Sequence, residues 1–428
     1  MRKIILIGFP ILLLVGVFLR FFLRPDALFL PKQAVTIAAS YEGAGEIPID
    51  VAVFDRDVPN ISHIEMTPDG STMLVGTLGG TILAYQKIEG EFRRQRKPFF
   101  TVQTSQPGFP PEEAGLTGIA LGADFETSGD IFLTYSFAKE EKSFRNRVMR
   151  VTFTRQGGEV IGTDPQDIFE AGTPGTGSHQ IQDGVGILVN STPHFLFTIG
   201  EGFVAERALD PKEEAGKVML IGRDGSRASG ERPFPESPNV QALGIRNAPA
   251  MAKNPVNGKI AIADTGPNNN DRFLYGTVFD AKGINNRELS FQWDGSEDSL
   301  TKTAPDLYIK DTVNMNLYQW APTETAVNIV FYQNDLLPRL SEHQQYVLVT
   351  LFGRTGEPGN DPGKKIILGI LADQGQPSIE FTPFIKRTES VKDELGHPLG
   401  LAFDAKTKIL YFGDIMEGRI YKAQIKGK

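Results

Sequence analysis

Residues 398–425 read PLGLAFDAKTKILYFGDIMEGRIYKAQI. Short apolar runs rich in Ile, Leu, Phe and Tyr alternate here with polar stretches, a pattern that predicts half-buried strands joined by turns. The same order of strand and turn occurs in five earlier copies, which begin near Ile61, Gly115, Val185, Ala242 and Val327. No long segment after residue 30 keeps a 3.6-residue apolar period. Six such units predict an all-β fold, a six-bladed β-propeller.

The composition excludes several classes of protein. The chain of 428 residues has 44 Lys and Arg against 52 Asp and Glu and shows no basic stripe, so nucleic-acid binding is not expected. It contains no cysteine, which excludes disulfides, thiolate metal sites and cysteine nucleophiles. The G-x-S-x-G elbow of serine hydrolases and the phosphate-binding P-loop are also absent.

The N-terminus contains a long apolar run. Residues 4–23 read IILIGFPILLLVGVFLRFFL, about the length that crosses a bilayer as a helix. We therefore expect residues 1–30 to form one N-terminal transmembrane helix that anchors the chain, residues 31–50 to form a linker, and residues 51–428 to form the propeller. A cleaved signal peptide is the alternative, although no small-x-small cleavage site directly follows the run. Positive charges flank both ends, so they do not orient the helix.

Several segments resemble one family of propellers. GLTGIALGADFETSGDIFLTYSF at 115–137, GIRNAPAMAKNPVNGKIAIADTGPN at 244–268 and the segment at 398–425 are similar to the glucose/sorbosone dehydrogenase family. The resemblance covers most of residues 50–425. It implies a six-bladed propeller outside the cytoplasm, periplasmic or extracellular, that oxidises a sugar or polyol with pyrroloquinoline quinone and Ca²⁺.

The resemblance implies a catalytic histidine, and the sequence leaves its position open. In the family, a His at the start of the third blade removes the proton of the sugar hydroxyl, because imidazole exchanges protons near neutral pH. Counting back without gaps from Thr198 to Glu201 places Gln182 at this position. His179 lies three residues upstream and needs a local insertion to reach the site. Gln cannot act as a base, so His179 and Gln182 are both candidates, and a loop histidine bonded to backbone is the alternative.

The resemblance also implies residues that bind substrate, cofactor and metal. Arg246 matches an arginine that polarises the quinone carbonyl, and Asn247 matches its neighbouring asparagine. Gly266-Pro267 match the pair whose carbonyls bind calcium, and Asp264 and Asp271 are nearby carboxylates that Ca²⁺ accepts as ligands. An arginine that holds loop carbonyls and an ordinary Asn-rich turn are the alternatives.

Three further cations are candidates for binding the carboxylates of the cofactor. They are Arg354, Lys386 and Arg387, which fall near the ends of predicted strands. Each can equally be a solvated surface charge.

Three functions remain open from the sequence. The first is a membrane-anchored, quinone-dependent sugar or polyol dehydrogenase. The second is a propeller that has lost catalysis and binds a glycan or a protein. The third is a calcium-dependent lactonase or esterase, which would use Asp264 and Asp271 to activate water. His179 in the central channel favours the first function, and Gln182 in the channel favours the second.

Overall fold

The computed structural model describes most of the chain after residue 37. The described residues are 28–30, 38–104, 113–140, 143–172, 175, 177–227, 234, 237–278, 290–301, 316–333, 335–353, 363–388 and 396–426. Of the predicted transmembrane helix over residues 1–30, residues 1–27 lie outside this set. Residues 28–30 are described, and Phe29 forms an isolated antiparallel bridge with Gln95 rather than part of a long helix. Within the described ranges, no helix combines the length and the apolar character needed to span a bilayer.

The strands of the described residues form six antiparallel sheets, which we call blades 1 to 6. Two N-terminal strands, β1 (Tyr41–Gly43) and β2 (Ile49–Asp55), join blades 5 and 6. Blade 1 contains β3 (Ile61–Met66), β4 (Thr72–Thr77), β5 (Thr81–Ile88), β6 (Glu91–Arg94) and β7 (Phe100–Thr101). Blade 2 contains β8 (Leu116–Leu121), β9 (Asp130–Glu140), β10 (Ser143–Gln156) and β11 (Glu159–Glu170). Blade 3 contains β12 (Ile181–Val189), β13 (Thr192–Ile199), β14 (Lys217–Gly222) and β15 (Val240–Leu243).

The remaining blades follow in chain order. Blade 4 contains β16 (Ala250–Lys253), β17 (Ile260–Asp264), β18 (Asp271–Gly276) and β19 (Asn316–Trp320). Blade 5 contains β20 (Ala326–Tyr332), β21 (Gln344–Leu351), β22 (Lys365–Ala372), β23 (Ser378–Arg387) and β1. Blade 6 contains β24 (Pro398–Asp404), β25 (Ile409–Asp414), β26 (Arg419–Ile425) and β2. Short helices α1 (Phe125–Ser128), α2 (Glu206–Leu209) and α3 (Glu297–Thr301) lie in the connections.

The blades close into a ring. The first strands, β3, β8, β12, β16, β20 and β24, contact one another in turn, and β24 contacts β3. The prediction of an all-β six-bladed propeller is therefore confirmed. The ring is also tied by the N-terminal chain, because β2 pairs with β26 with Ile49 opposite Ile425. Residues 41–43 and 49–50, which we expected in a linker, are thus strand residues of blades 5 and 6.

The core lies between neighbouring blades. One apolar cluster includes Leu196 of blade 3 and Ile262 of blade 4, and another includes Leu74 of blade 1 and Leu133 of blade 2. Because neighbours cover both faces of a blade, whole strands are buried, as in β17, where every residue is buried. This explains why the sequence shows continuous apolar runs rather than strict alternation.

Candidate functional site

A cavity of about 560 Å³ lies where the first strands of the blades meet. Each blade contributes to its lining at or beside its first strand, through Ser62, Thr117, Gln182, Pro249, Asn328 and Leu399. The pairing register shifts at this point in several first strands, between Ile61 and His63, Leu116 and Gly118, and Ile181 and Gly184. Such bulges re-aim side chains, and the residues inside them include Ser62, Thr117 and Gln182. The volume is typical of a small-molecule site in a central channel.

His179 lines the cavity and contacts a buried carboxylate. Its Nδ1 lies 2.8 Å from Oε1 of Glu201, and the two side chains are 6% and 3% exposed. A carboxylate only accepts hydrogen bonds, so Nδ1 carries the proton and Nε2 has the free lone pair. Nε2 has no hydrogen-bond partner in the part of the chain that the structure describes. Gly200 permits this approach, because a Cβ there would lie 2.6 Å from the backbone oxygen of His179.

Gln182 lines the same cavity. Its Nε2 donates to Oδ1 of Asn247 at 3.2 Å, so two amide side chains of blades 3 and 4 meet in the channel. The structure thus brings both candidates for the histidine position, His179 and Gln182, to the cavity. Sequence reasoning used Glu201 only as a reference point for counting, although a carboxylate that ends a strand beside the expected base is a recognisable signal.

Arg246 and Asn247 both line the cavity and are held from behind. The backbone N–H groups of Arg246 and Asn247 donate to Oδ1 of Asp264 at 3.1 and 2.9 Å. The Arg246 guanidinium donates to the carbonyl of Thr265 at 2.8 Å and lies 5.8 Å from the ring of Trp293. Burial lowers the pKa of Arg246 from its ordinary value, and Glu201, Asp264 and Asp271 oppose that effect. An arginine so fixed is suited to contact an anion in the cavity.

Gly266 and Pro267 line the cavity beside Asn268 and Thr323. Residue 266 must be glycine, because a Cβ would lie 2.1 Å from the carbonyl of Asn269. Thr323 Oγ1 lies 3.5 Å from the Gly266 carbonyl oxygen. These residues bring neutral carbonyl, amide and hydroxyl oxygens together at one wall.

Asp264 and Asp271 were candidate metal ligands, and the structure places neither in the cavity lining. Asp264 accepts two backbone N–H groups and is paired with the buried guanidinium of Arg272. Asp271 accepts the N–H groups of Gly266, Glu324 and Thr325 at 2.8, 2.8 and 2.6 Å. Burial raises the pKa of Asp271 to about 6. Both carboxylates brace the loops that line the cavity, and the described residues contain no group of three or more His, Asp or Glu placed to hold a metal ion.

Comparison with protein families identifies this architecture. A family model described as Glucose / Sorbosone dehydrogenase matches residues 59–350, more than half of the chain. The chain belongs to the glucose/sorbosone dehydrogenase family. No curated protein matches it.

Solved structures of similar fold include several dehydrogenases. The soluble aldose sugar dehydrogenase of Escherichia coli in the apo form has a TM-score of 0.64 and 16% identity, over 88% of this chain and 100% of that one. The PQQ-bound aldose sugar dehydrogenase of Streptomyces coelicolor has a TM-score of 0.59 and 18% identity, over 90% and 100%. A calcium structure of a Trichoderma reesei protein of carbohydrate-active enzyme family AA12 has a TM-score of 0.56 and 14% identity, over 92% and 100%. These similarities concern the fold.

Two of the three cations proposed to bind a cofactor, Lys386 and Arg387, do not line the cavity of this glucose/sorbosone dehydrogenase family member. Lys386 Nζ lies 3.5 Å from Glu42 at the pairing of β23 with β1. Arg387 donates to Glu417 Oε1 at 2.8 Å and to Asp414 Oδ2 at 3.3 Å. Both belong to β23, which lies near the outer edge of blade 5, and this position keeps them away from the channel. Arg354 falls outside the described residues.

The cavity wall contains polar atoms suited to a bound ligand. Ser62 Oγ and Thr265 Oγ1 are buried and have no hydrogen-bond partner in the described ranges. Both residues line the cavity. Because buried hydroxyls without partners are unfavourable, a polar ligand is the expected partner. Together with the Arg246 guanidinium and the oxygens near Gly266, they fit an anionic cofactor and a cation that prefers oxygen ligands.

Proposed function

We propose that this chain is a quinone-dependent sugar or polyol dehydrogenase of the glucose/sorbosone dehydrogenase family. The observation that supports it most is the pair of His179 and Glu201 at the cavity wall, 2.8 Å apart. A dehydrogenase of this kind needs a base at the site of oxidation, and His179 is the imidazole that lines the cavity among the described residues. The solved aldose sugar dehydrogenases of similar fold support the same class of reaction.

The protonation chemistry follows from the orientation of the imidazole. Nε2 of His179 accepts the proton of the sugar hydroxyl, and Nδ1–H keeps its bond to Glu201. The carboxylate favours the imidazolium that forms, and a hydrogen bond to a charged group contributes about 1.5–3 kcal/mol. Pyrroloquinoline quinone, when bound, would supply the two-electron acceptor for the hydride that leaves the carbon bearing this hydroxyl. Burial of both side chains keeps competing water away from the bond between them.

Other residues of the wall would position the ligands. Arg246 donates to an anionic or carbonyl oxygen, which stabilises negative charge that develops there. The carbonyls of Gly266 and Pro267 and the hydroxyl of Thr323 match the oxygen ligands that Ca²⁺ takes. Since Ca²⁺ takes 6–8 oxygens, these three residues would supply only part of its ligands.

A second candidate is a propeller that binds a glycan without oxidising it. The amide pair of Gln182 and Asn247 favours it, because amides recognise sugar hydroxyls without any titratable group. The calcium-dependent lactonase or esterase has less support. It requires carboxylates in the cavity to activate water, whereas Asp264 and Asp271 are engaged by backbone N–H groups behind the wall.

The proposal includes the location of the protein. The apolar run at residues 4–23 supports a membrane anchor, and the chemistry of the family supports a propeller outside the cytoplasm, in the periplasm or the extracellular space. In this proposal the N-terminal segment lies in the membrane, and a sugar or glycan binds in the channel. The proposal names no protein partner.

Reconstitution tests the function directly. The full-length chain in detergent micelles is titrated with pyrroloquinoline quinone and Ca²⁺ by absorbance and calorimetry, and a sugar panel with an artificial electron acceptor follows. We expect saturable binding and sugar-dependent reduction. His179→Gln should retain quinone binding and lose turnover. The control is His343→Gln, because the side chain of His343 is 46% exposed and lies outside the cavity, and this variant should retain both. Absence of binding at micromolar quinone would overturn the dehydrogenase and leave glycan binding.

A further inference from the structure

Phe203 combines exposure with a strained backbone beside the proposed base. Its ring centroid lies 3.9 Å from that of His179, and the residue lines the cavity while 62% of its surface is exposed. Its φ is +59°, and its N–H donates to Glu201 Oε2 at 3.1 Å. The left-handed conformation costs a non-glycine residue roughly 1–2 kcal/mol. Exposure of this aromatic ring recovers little of that cost, so fold stability alone does not explain Phe203.

We propose that Phe203 is a stacking platform for a second sugar ring, so that the substrate is an oligosaccharide or glycoside oxidised at its terminal ring. The inference rests on the proposed dehydrogenase function. It specifies the substrate class of the same cavity.

The distances separate the two sugar positions. Phe203 lies against His179 on one side, with the rings tilted by 35°, and 62% of the residue is exposed, so its exposed face points away from the base. A ring stacked on that face lies about 8 Å from the imidazole centroid, if a carbon contact of about 4 Å is added to the 3.9 Å between the rings. Proton transfer needs roughly 2.6–3.2 Å between heavy atoms, so the stacked ring cannot be the one that is oxidised. A neighbouring ring of the same molecule satisfies both positions.

The chemistry of the surroundings fits a carbohydrate. One face of a pyranose is rich in C–H groups and suits an aromatic ring, while its edges carry hydroxyls. The polar groups of the same lining, Glu113, Gln182 and Asn268 among them, can meet those hydroxyls.

The segment that follows the platform is rigidly held. Lys217 Nζ donates to the carbonyls of Arg207, Ala208 and Ala215 at 2.6, 3.1 and 2.6 Å, and the Lys217 residue is fully buried. Gly216 allows close contact, since a Cβ there would lie 2.5 Å from Cα of Ala208. These contacts hold residues 207–217, and the N–H of Phe203 is itself bonded to Glu201, so the loop that carries the platform is ordered before any ligand arrives, which lowers the entropic cost of binding.

The inference is tested by the ratio of kcat/KM for a disaccharide to kcat/KM for glucose in variants of Phe203. We would measure kcat/KM for glucose, cellobiose and maltose in Phe203→Ala and Phe203→Tyr, with Val256→Ala as control for loss of an equally exposed apolar side chain outside the cavity. We expect Phe203→Ala to lower the ratio of disaccharide to glucose roughly 3- to 10-fold, the range of one aromatic contact. Phe203→Tyr and Val256→Ala should keep the ratio of the unaltered chain.

A binding measurement separates this inference from the proposed function. Calorimetry with cellotetraose and maltotetraose is carried out on the full-length chain without added quinone. Weaker binding in Phe203→Ala and unchanged binding in Val256→Ala support the platform even if no chain turns over sugar. An unchanged kcat/KM ratio together with unchanged binding in Phe203→Ala overturns the platform and leaves the dehydrogenase intact. Absence of binding for both probes in every chain also overturns it.

Discussion

Asp264 provides a test that separates a structural carboxylate from a metal ligand. Its side chain is fully buried, and it holds the guanidinium of Arg272, which is 1% exposed. In Asp264→Asn, the amide oxygen can still accept the backbone N–H groups of Arg246 and Asn247. The amide NH₂ then faces the Arg272 guanidinium, so a buried cation loses its counter-charge.

The magnitude follows from this burial. Breaking a buried ion pair by removal of one partner costs about 3–5 kcal/mol, because the remaining charge stays away from water. Arg272 keeps its bonds to the carbonyls of Phe291 and Gly244, which hold the guanidinium in place and prevent it from reaching solvent. The exposed pair of Lys426 and Asp50, 2.7 Å apart, provides the control, since such pairs contribute about 0–1 kcal/mol.

The assay is urea unfolding of the full-length chain in detergent, followed by tryptophan fluorescence, with Ca²⁺ and with a chelator. We expect Asp264→Asn to lower the free energy of unfolding by about 3–5 kcal/mol in both conditions, and Asp50→Asn by less than about 1 kcal/mol. The double variant Asp264→Asn with Arg272→Met should lose less than the sum of the single variants. A loss that appears only with Ca²⁺ would refute the structural role and return Asp264 to the metal site.

Further predictions concern the base, the platform and the pH dependence of stability. Glu201→Gln should lower kcat about 10- to 150-fold with little change in KM, because the imidazolium that forms at His179 loses its carboxylate partner. The control is Asp373→Asn, which lies away from the cavity and should leave kcat unchanged. Lys217→Met leaves three carbonyls without their ammonium donor, so the free energy of unfolding in urea should fall by about 1–3 kcal/mol, and an unchanged midpoint would contradict this. Burial raises the pKa of Asp183 from 3.8 to about 6, so between these values the native state holds a proton that the unfolded state has lost. Stability should therefore fall as pH rises through this window, by up to about 3 kcal/mol, and thermal unfolding of Asp183→Asn should show a flatter dependence on pH.

The ring was predictable from the sequence, whereas the N-terminal strands that add to blades 5 and 6 were not. Each blade buries both of its faces against its neighbours, and this burial produces apolar runs that recur along the sequence. The pairing of Tyr41 with Arg387 joins residues far apart in sequence through a strand of three residues, and local pattern does not name such a partner. Tyr41 is nevertheless 2% exposed, with its ring 5.0 Å from that of Tyr421, so tertiary packing stabilises the short strand.

The position of the histidine was ambiguous for a geometric reason. Between Ile181 and Gly184, β12 advances three residues while β13 advances only from Ile199 to Phe197. An ungapped count assumes one residue per register position, and a bulge breaks that assumption. The bulge and the left-handed His179, with φ of +52°, allow both His179 and Gln182 to reach the cavity. The sequence predicted that either His179 or Gln182 lies at the site, whereas the fold places both in the cavity lining.

The roles of the acids depend on the number of donors that reach each carboxylate, which only the fold reveals. Asp264, Asp271 and Glu201 all lie at the ends of strands or loops beside the channel, yet each is behind the wall and accepts hydrogen bonds from residues that line it. Asp264 fixes Arg246, Asp271 fixes the loop at Gly266, and Glu201 fixes the imidazole. Because these three carboxylates lie one layer back, the polar part of the wall presents amide and hydroxyl groups, the Arg246 guanidinium and the His179 imidazole to the ligand, beside apolar side chains and the carboxylate Glu113. Such a wall favours an anionic cofactor and leaves the lone pair of one histidine as the nearby acceptor for a hydroxyl proton.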